Sequence, residues 1–252
     1  DNAKTYVAWC WRANGGTTSS NSDGSITSTV QANTKAGFSI CTYTGNGSNG
    51  ATFGHGLSAK PSFVIIKNRG SAQKWAVWHQ SAGMTDYKLL FLNESSALTT
   101  EGTQRWDVSA ISNSVFGLGS HNEINGSSET YVSYIWHDVE GYSKFGTYEG
   151  NGSTDGTFVY TGFRPRMVFL KQIDGAAEWT VFDTARETHN QMEDLLQWDL
   201  SNAETQLTND KIDFLSNGFK LRGAGGGRTN QSSRTFIYGA WGDVPFKYNN
   251  TF

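Results

Sequence analysis

The segments KPSFVIIK (Lys60–Lys67) and RPRMVFLK (Arg164–Lys171) are two versions of one pattern, 104 residues apart. In each, a short apolar run follows a proline and ends at a lysine. Short runs rich in β-branched and aromatic residues, bounded by Pro, Gly or Asn, indicate strands rather than helices. The segments WAVWH (Trp75–His79) and WTVFD (Trp179–Asp183) have the same character. These runs predict a chain that is mostly β.

The similarity extends well beyond these strands. TYTGNGS (Thr42–Ser48) matches TYEGNGS (Thr147–Ser153) at a shift of 105 residues. TYVSYIW (Thr130–Trp136) matches TFIYGAW (Thr235–Trp241) at the same shift and closes each copy. Self-similarity at a fixed spacing is the sequence signature of a repeat architecture. We therefore interpret the chain as two copies of one unit.

The closing segment occurs a third time, as TYVAWCW (Thr5–Trp11), with no complete copy before it. Since it ends both longer copies, we interpret its first appearance as the last strand of an earlier repeat. Alternatively, it replaces a missing strand. In either case its alternation and its aromatic residues predict an ordered, half-buried strand.

Many short strands with regularly spaced turn signals predict an all-β fold made of tandem β-sandwich or jelly-roll repeats. We assign residues 1–36 to the terminal strand of an upstream repeat plus a connecting segment. Residues 37–140 form the first predicted sandwich, and residues 141–252 form the second. We expect at most one or two short helices. Only ARETHNQMEDLLQW (Ala185–Trp198) has charge and apolar spacing compatible with a helical turn.

The glycine-rich stretch of each copy contains an Asn-Gly pair, Asn46-Gly47 and Asn151-Gly152. Asn-Gly is the strongest short hairpin signal because both residues tolerate the positive φ of a two-residue type I′ turn. A calcium site that uses Asp155 is an alternative, but the first copy supplies no carboxylate at this place. A phosphate loop is less favoured because neither copy has the GxxxxGK[ST] pattern.

Composition argues against several classes of partner. The 252 residues carry a formal net charge of −3 with no basic run, so we expect no nucleic-acid partner. No apolar stretch approaches the roughly 20 residues that span a bilayer, so we expect a soluble chain without membrane insertion. Cys10 and Cys41 lack metal-ligand spacing and are interpreted as small half-buried hydrophobic residues or as a disulfide. The five histidines also lack such spacing, and we expect no metal and no cofactor.

Catalytic signatures are weak. His55 aligns with Tyr160 and His79 with Asp183, so neither histidine recurs, and no GxSxG motif is present. The clearest carboxylate cluster is DTARE (Asp183–Glu187). Asp183 followed by Arg186 is more typical of a structural ion pair at a strand end than of a catalytic centre. We therefore expect a protein that is not an enzyme. A glycan-active hydrolase, which needs two suitably placed carboxylates, is the less favoured alternative.

The nine tryptophans raise the hypothesis of sugar stacking. Tryptophans that recur at matching strand positions are expected in the core. Trp106 and Trp198 lie outside that pattern and are predicted at the surface. The first copy also differs from the second around His121, and variable loops on a repeated scaffold are typical places for ligand specificity. The predicted ligand-binding residues are Trp106, His121, Asn122, Glu123 and Trp198.

Three long runs, Asn21–Arg69, Tyr131–Lys171 and Leu215–Arg222, resemble a domain of tail-fibre-like and other virion proteins of marine bacteriophages, including phages of cyanobacteria. The resemblance covers nearly the whole chain. It implies a lectin-like, concanavalin-type β-sandwich in a long modular virion protein that is assembled in the host cytoplasm. A reducing cytoplasm disfavours the disulfide.

The resemblance also implies a function, host recognition, and a set of partners. These are a bacterial cell-surface glycan or receptor and other virion proteins, with the chain itself forming a homotrimer. No catalytic residues are implied. The alternative function is an architectural spacer or capsid-decoration module without a ligand.

Overall fold

The computed structural model of the chain describes residues 5–243, which contain nineteen strands and no helix. The strands form sheets of eight, six, three and two members, and every strand pair in them is antiparallel. The prediction of an all-β, sandwich-like fold is confirmed. Over these residues no helix is available that could cross a membrane.

Ten strands precede residue 140 and nine follow it. The first ten are β1 (Ser19–Asn21), β2 (Ser28–Asn33), β3 (Phe38–Thr44), β4 (Ala51–Gly54), β5 (Phe63–Asn68), β6 (Ala76–His79), β7 (Lys88–Phe91), β8 (Thr99–Thr100), β9 (Val115–Leu118) and β10 (Thr130–Trp136). The others are β11 (Ser143–Glu149), β12 (Phe158–Tyr160), β13 (Met167–Gln172), β14 (Thr180–Asp183), β15 (Asp194–Gln197), β16 (Thr205–Gln206), β17 (Ile212–Leu215), β18 (Gly218–Leu221) and β19 (Thr235–Trp241).

The two large sheets have corresponding strand orders. The eight-stranded sheet runs β1-β2-β3-β10-β5-β6-β7-β8, and the six-stranded sheet runs β11-β19-β13-β14-β15-β16. Without β1 and β2, each position of the first sheet has its counterpart in the second. The closing segments β10 and β19 are therefore central strands, hydrogen-bonded on both sides.

The apolar runs of β5 and β13 lie in sheets that are covered on both faces. In β5, Phe63 and Ile65 contact one core cluster while Val64 and Ile66 contact another. Side chains alternate between the two faces of a strand, so a run that is apolar at every position needs apolar neighbours on both sides. β13 shows the same alternation.

Three core clusters result. One lies between the eight-stranded sheet and the β4–β9 pair, and one lies between the six-stranded sheet and the β12-β18-β17 sheet. The third, which we call the shared core, contains residues from both large sheets. It joins side chains from both sides of residue 140. The domain boundaries 1–36, 37–140 and 141–252 stay predictions. The shared core includes Phe38, Phe63, Ile65, Val77, Leu90, Trp136, Phe145, Met167, Phe169, Trp179, Val181, Ile237 and Trp241.

The helical turn that the sequence allowed over 185–198 does not form, and the strand predicted over Thr5–Trp11 is wrong. The segment 185–198 contains turns and strand β15 instead of a helix. Tertiary contacts outweigh the helical spacing there, because Leu195 is buried in the core and the Glu187 carboxylate accepts the backbone N–H groups of Glu193 and Asp194 at 2.6 and 2.8 Å.

The segment Thr5–Trp11 has no regular secondary structure. Strands β10 and β19 already occupy the central position of both large sheets, so this third version of their sequence has no pair of strands to lie between. Its side chains nevertheless pack, since Trp9 and Trp11 contact the shared core.

The predicted type I′ hairpins are also wrong. Strand β3 pairs with β2 and β10, whereas β4 pairs with β9 in another layer. Of the two Asn-Gly pairs, only the glycines have positive φ, +70° at Gly47 and +68° at Gly152. Each glycine-rich stretch thus carries the chain from one layer to the next.

A buried asparagine fixes each of these crossings. In the first half, the amide nitrogen of Asn125 donates to Asn46 Oδ1, to Ser48 O and to Gly119 O, at 3.3, 2.9 and 2.8 Å. Its amide oxygen accepts the backbone N–H of Asn46 at 2.9 Å. Asn230, 105 residues later, makes the corresponding four hydrogen bonds in the second half.

The Asn125 network predicts a large loss of stability on truncation. Asn125→Ala leaves several buried polar groups without a partner, so we expect the free energy of unfolding to fall by about 2 to 4 kcal/mol. Urea unfolding followed by tryptophan fluorescence measures the change. Asn113→Ala, at an exposed asparagine, is the control. A loss as small as that of the control would show that the network contributes little.

A buried lysine links the two halves. Lys171 in β13 is fully buried, and its ammonium donates to the carbonyls of Ser95 and Ala177, at 2.9 and 2.5 Å. Burial lowers the pKa of Lys171 from 10.5 to about 8, while the charges of Asp199 and Glu178 oppose the shift.

This lowered pKa predicts a pH dependence of stability. Between pH 8 and 10.5 the unfolded chain binds the Lys171 proton more tightly than the folded chain, so this group's contribution to stability rises with pH. Relative to Lys171→Met, we expect the wild type to gain stability from pH 7.5 to 10 in urea unfolding. Lys67→Met, at the matching half-buried position in β5, is the control. The same trend against both variants would contradict the assignment.

Candidate functional site

The structure places Trp106 in the core of the first half, so its prediction as a surface residue is wrong. Trp106 is fully buried, and its indole nitrogen donates to Lys88 O at 2.7 Å. It forms an isolated antiparallel bridge with Leu118 and meets the ring of Phe116 edge-on at 5.8 Å. Trp106, although it lies outside the repeated positions, therefore packs in the core and does not expose its ring to solvent.

Glu123 and His121 lie together with a buried arginine. The Glu123 carboxylate is buried and accepts Nε of Arg105 at 2.9 Å, with His121 Nδ1 3.4 Å away. Burial first, and then the charge of Arg105, lower the pKa of His121. Asn122 is exposed. At this loop, His121 and Asn122 are thus the accessible members of the predicted set, and their ligand-binding role stays a prediction.

Trp198 belongs to a different region from the other four predicted residues. It is half-buried and packs on the shared core, 5.2 Å from the ring of Phe169 and 6.3 Å from that of Trp9. Trp106 packs in the first-half core instead. The predicted set therefore does not form one site.

The carboxylate of Asp183 in the DTARE cluster organises a turn. It accepts Arg186 Nε at 2.6 Å, Trp9 Nε1 at 3.0 Å and the backbone N–H groups of Ala185 and Arg186. Burial alone would raise the pKa of Asp183, but the hydrogen bond and charge of Arg186 outweigh it and hold the pKa below its usual value. This is the structural ion pair that the sequence favoured.

His55 and His79 are neutral at pH 7. Burial lowers the pKa of His55 and of His79 to about 4. His79 occupies the position of Asp183 in the first half, where its Nδ1 accepts the backbone N–H of Ser81. The described residues contain no cluster of potential metal ligands. Cys41 is buried, Cys10 is exposed, and both are free thiols, so the disulfide alternative is wrong.

The register between the halves changes by one residue at the end of the glycine-rich stretch. The backbone N–H of Gly50 donates to Leu118 O in the first half, and that of Gly156 donates to Leu221 O in the second. Gly50 and Gly156 are 106 residues apart, whereas the glycine-rich stretches before them match at a shift of 105 residues. The predicted match of His55 with Tyr160, which used a shift of 105, is therefore wrong.

With the corrected register, Tyr160 corresponds to Gly54 rather than to His55, and Phe158 corresponds to Thr52. Val159 points into the core between them, so both aromatic side chains share the outer face of β12. Phe158 is 43% exposed and Tyr160 is 66% exposed. We call this pair the open aromatic face.

The same face is closed in the first half by the chain itself. The backbone N–H of Ser25 donates to Thr52 Oγ1 at 3.0 Å, and Ile26 forms a bridge with Phe53. The Asn21 side chain lies so close to Gly54 that a Cβ there would meet it at 1.7 Å. Only residues 137–142 connect β10 to β11, so within residues 5–243 no segment before β11 covers the open aromatic face as residues 21–26 cover β4.

A polar pocket of about 490 Å³ lies beside Tyr160. Asp138 is held there by the ammonium of Lys144 at 2.7 Å and the backbone N–H of Phe145 at 3.0 Å. The Glu140 side chain is exposed. A flat aromatic surface next to charged hydrogen-bonding groups can bind a ligand with one apolar face and several hydroxyls. The pocket is lined by Asp138, Val139, Glu140, Gly141, Ser143, Lys144, Tyr160, Thr161 and Gly162.

The sequence contained a signal for this surface that the alignment concealed. In FVY (Phe158–Tyr160) the alternation of a strand puts one residue inward and two aromatic residues outward. The exposure of both rings depends on the missing cover, which only the strand order of the sheets reveals.

The fold and this surface define a class, an all-β sandwich protein with an open aromatic face on one of its outer sheets. The chain belongs to a family described as a domain of unknown function, DUF7483, whose model matches residues 1–245. No curated protein and no solved structure matches the chain.

Proposed function

We propose that the chain is a non-enzymatic recognition and structural module of a bacteriophage virion, as in a tail fibre, and that it binds a glycan or receptor on the bacterial surface. The observation that carries the proposal is the open aromatic face beside the polar pocket. The long runs that resemble virion proteins of marine bacteriophages supply the biological setting.

A glycan suits the chemistry of the surface. A pyranose has an apolar C–H face and a rim of hydroxyls, and an exposed aromatic ring offers the matching apolar surface. Tyr160 presents such a ring, while Glu140 and the Asp138–Lys144 ion pair offer acceptors and donors within the same pocket. Phe158 extends the apolar surface along β12.

The setting implies further partners. In the proposed virion the chain assembles in the host cytoplasm, contacts other virion proteins and forms a homotrimer. The two free thiols agree with assembly in a reducing compartment.

The second candidate function is an architectural spacer without a ligand. It is favoured by the shared core, which joins the two halves through closely packed aromatic side chains such as Phe63 and Phe169, 4.9 Å apart. A hydrolase is less favoured because buried carboxylates such as Asp183 and Glu123 are held in ion pairs with arginines.

Binding to candidate host cells and their purified surface polysaccharides tests the proposal. We expect saturable binding of the wild type, and a loss of affinity of about tenfold or more for Tyr160→Ala, because truncation removes the stacking surface. Tyr87→Ala removes a comparably exposed aromatic ring, 45% exposed, from the first half and should bind like the wild type.

His121→Ala and Asn122→Ala distinguish the open aromatic face from the loop favoured by the sequence. Loss of binding in these variants, with Tyr160→Ala unaffected, would move the site to that loop. No saturable binding of the wild type to any host would favour the spacer.

A further inference from the structure

The open aromatic face borders a charged residue of the neighbouring strand. Lys220 of β18 lies directly opposite Phe158 of β12. Residues that face each other across a strand pair point to the same side of the sheet, so Lys220 lies beside the exposed rings. Its ammonium forms an ion pair with the carboxylate of Asp155 at 2.6 Å. The positive charge at this end of the face is therefore neutralised by an acid.

The polar pocket beside Tyr160 has an excess of negative charge. The Lys144 ammonium lies 2.7 Å from Asp138 Oδ2. Asp138 Oδ1 accepts the backbone N–H of Phe145 at 3.0 Å, which fixes this carboxylate beside the lysine. Glu140 also lines the pocket, is exposed and forms no ion pair among residues 5–243. Because both acids are ionised at neutral pH, the carboxylates outnumber the ammonium.

Arg164 lies outside the lining of this pocket, although it follows Gly162 by only two residues. It is exposed, and it forms no ion pair in the described part of the chain. A ligand that reached this guanidinium would gain a free cation. The contribution of Arg164 therefore has to be separated from that of the pocket by experiment.

These charges discriminate between ligands. A ligand carboxylate, phosphate or sulfate that contacts Lys144 also meets Asp138, which stays fixed beside it, and Glu140. Repulsion between exposed like charges is modest, of the size that surface ion pairs contribute, but it opposes binding at each such contact. A ligand without negative charge avoids this repulsion and still finds hydrogen-bond donors and acceptors in the pocket.

The two exposed rings favour a chain of sugar units as the ligand. Phe158 and Tyr160 are two positions apart on β12, which separates them by roughly 6 to 7 Å along the strand. Each ring can therefore contact a different unit of a glycan that runs along β12, while the pocket beside Tyr160 binds the hydroxyls of one unit.

We propose that the open aromatic face and its pocket bind a glycan chain without negative charge, either neutral or carrying amino groups, and discriminate against acidic polysaccharides. This inference rests on the proposed function, because it names the class of glycan bound at the same face. The basis of the selection is the set of charges around the rings. Lys220 and Lys144 are each paired with an acid, and the carboxylate of Glu140 is in excess.

Three hexasaccharides with the same β-1,4-linked backbone test the inference at pH 6, where the carboxylates are ionised. The hexamer of glucose is neutral, that of glucosamine is cationic and that of glucuronate is anionic. NMR signals of the Phe158 and Tyr160 rings report binding at the face. We expect the glucose hexamer to bind about two- to fivefold more tightly than the glucuronate hexamer, and the glucosamine hexamer at least as tightly as the glucose hexamer. Added salt should reduce these differences.

Two substitutions locate the charges that select the ligand. Glu140→Gln removes the excess carboxylate and keeps the size of the side chain, so we expect the advantage of the glucose hexamer over the glucuronate hexamer to decrease. Glu129→Gln removes a half-buried carboxylate of the first half and should leave that advantage unchanged.

The order of the three affinities separates failure of this inference from failure of the proposed function. If the glucuronate hexamer binds as tightly as the glucose hexamer or more tightly, the inference is overturned while glycan binding at this face stands. Loss of the tight glucuronate binding in Arg164→Gln would then identify that guanidinium as its cause. If none of the three hexamers shifts either ring signal, both the inference and the proposed glycan binding at this face fail.

Discussion

The packing of two β-sheets on one aromatic core is the constraint on which the rest of this structure depends. The ring centroids of Phe63 in the first half and Phe169 in the second lie 4.9 Å apart in this core, and those of Trp241 and Phe169 lie 5.9 Å apart. Because each large sheet also carries a smaller sheet on its other face, the central strands are apolar on both sides. This explains why FVIIK and MVFLK show no polar alternation.

The outer faces of β4 and β12 differ in exposure because the chain before each of them differs. Strands β1 and β2 extend the first sheet and place residues 21–26 over β4. The short connection from β10 to β11 leaves β12 uncovered, so Tyr160 is exposed where Gly54 is enclosed. A difference in the preceding chain thus converts a structural face into a candidate binding surface.

Local sequence patterns predicted the strands correctly. Features that depend on residues far away in the sequence were predicted wrongly. The strands at Phe63 and Met167 followed from residue type. The hairpins at the Asn-Gly pairs were wrong because Asn125 and Asn230, 79 residues further along the chain in each case, bind those backbones instead. Trp106 was misplaced because its core position depends on contacts with Lys88 and Leu118, which the local sequence pattern does not reveal. The exposure of Tyr160 required the strand order.

The most direct measurement of this account is a double-mutant cycle on the shared core, using Phe63→Ala, Phe169→Ala and the double variant in urea unfolding. If the two sheets pack as described, the two losses of stability should be non-additive, with a coupling energy of about 0.5 to 3 kcal/mol. Losses that add to within about 0.5 kcal/mol would contradict direct packing of the halves.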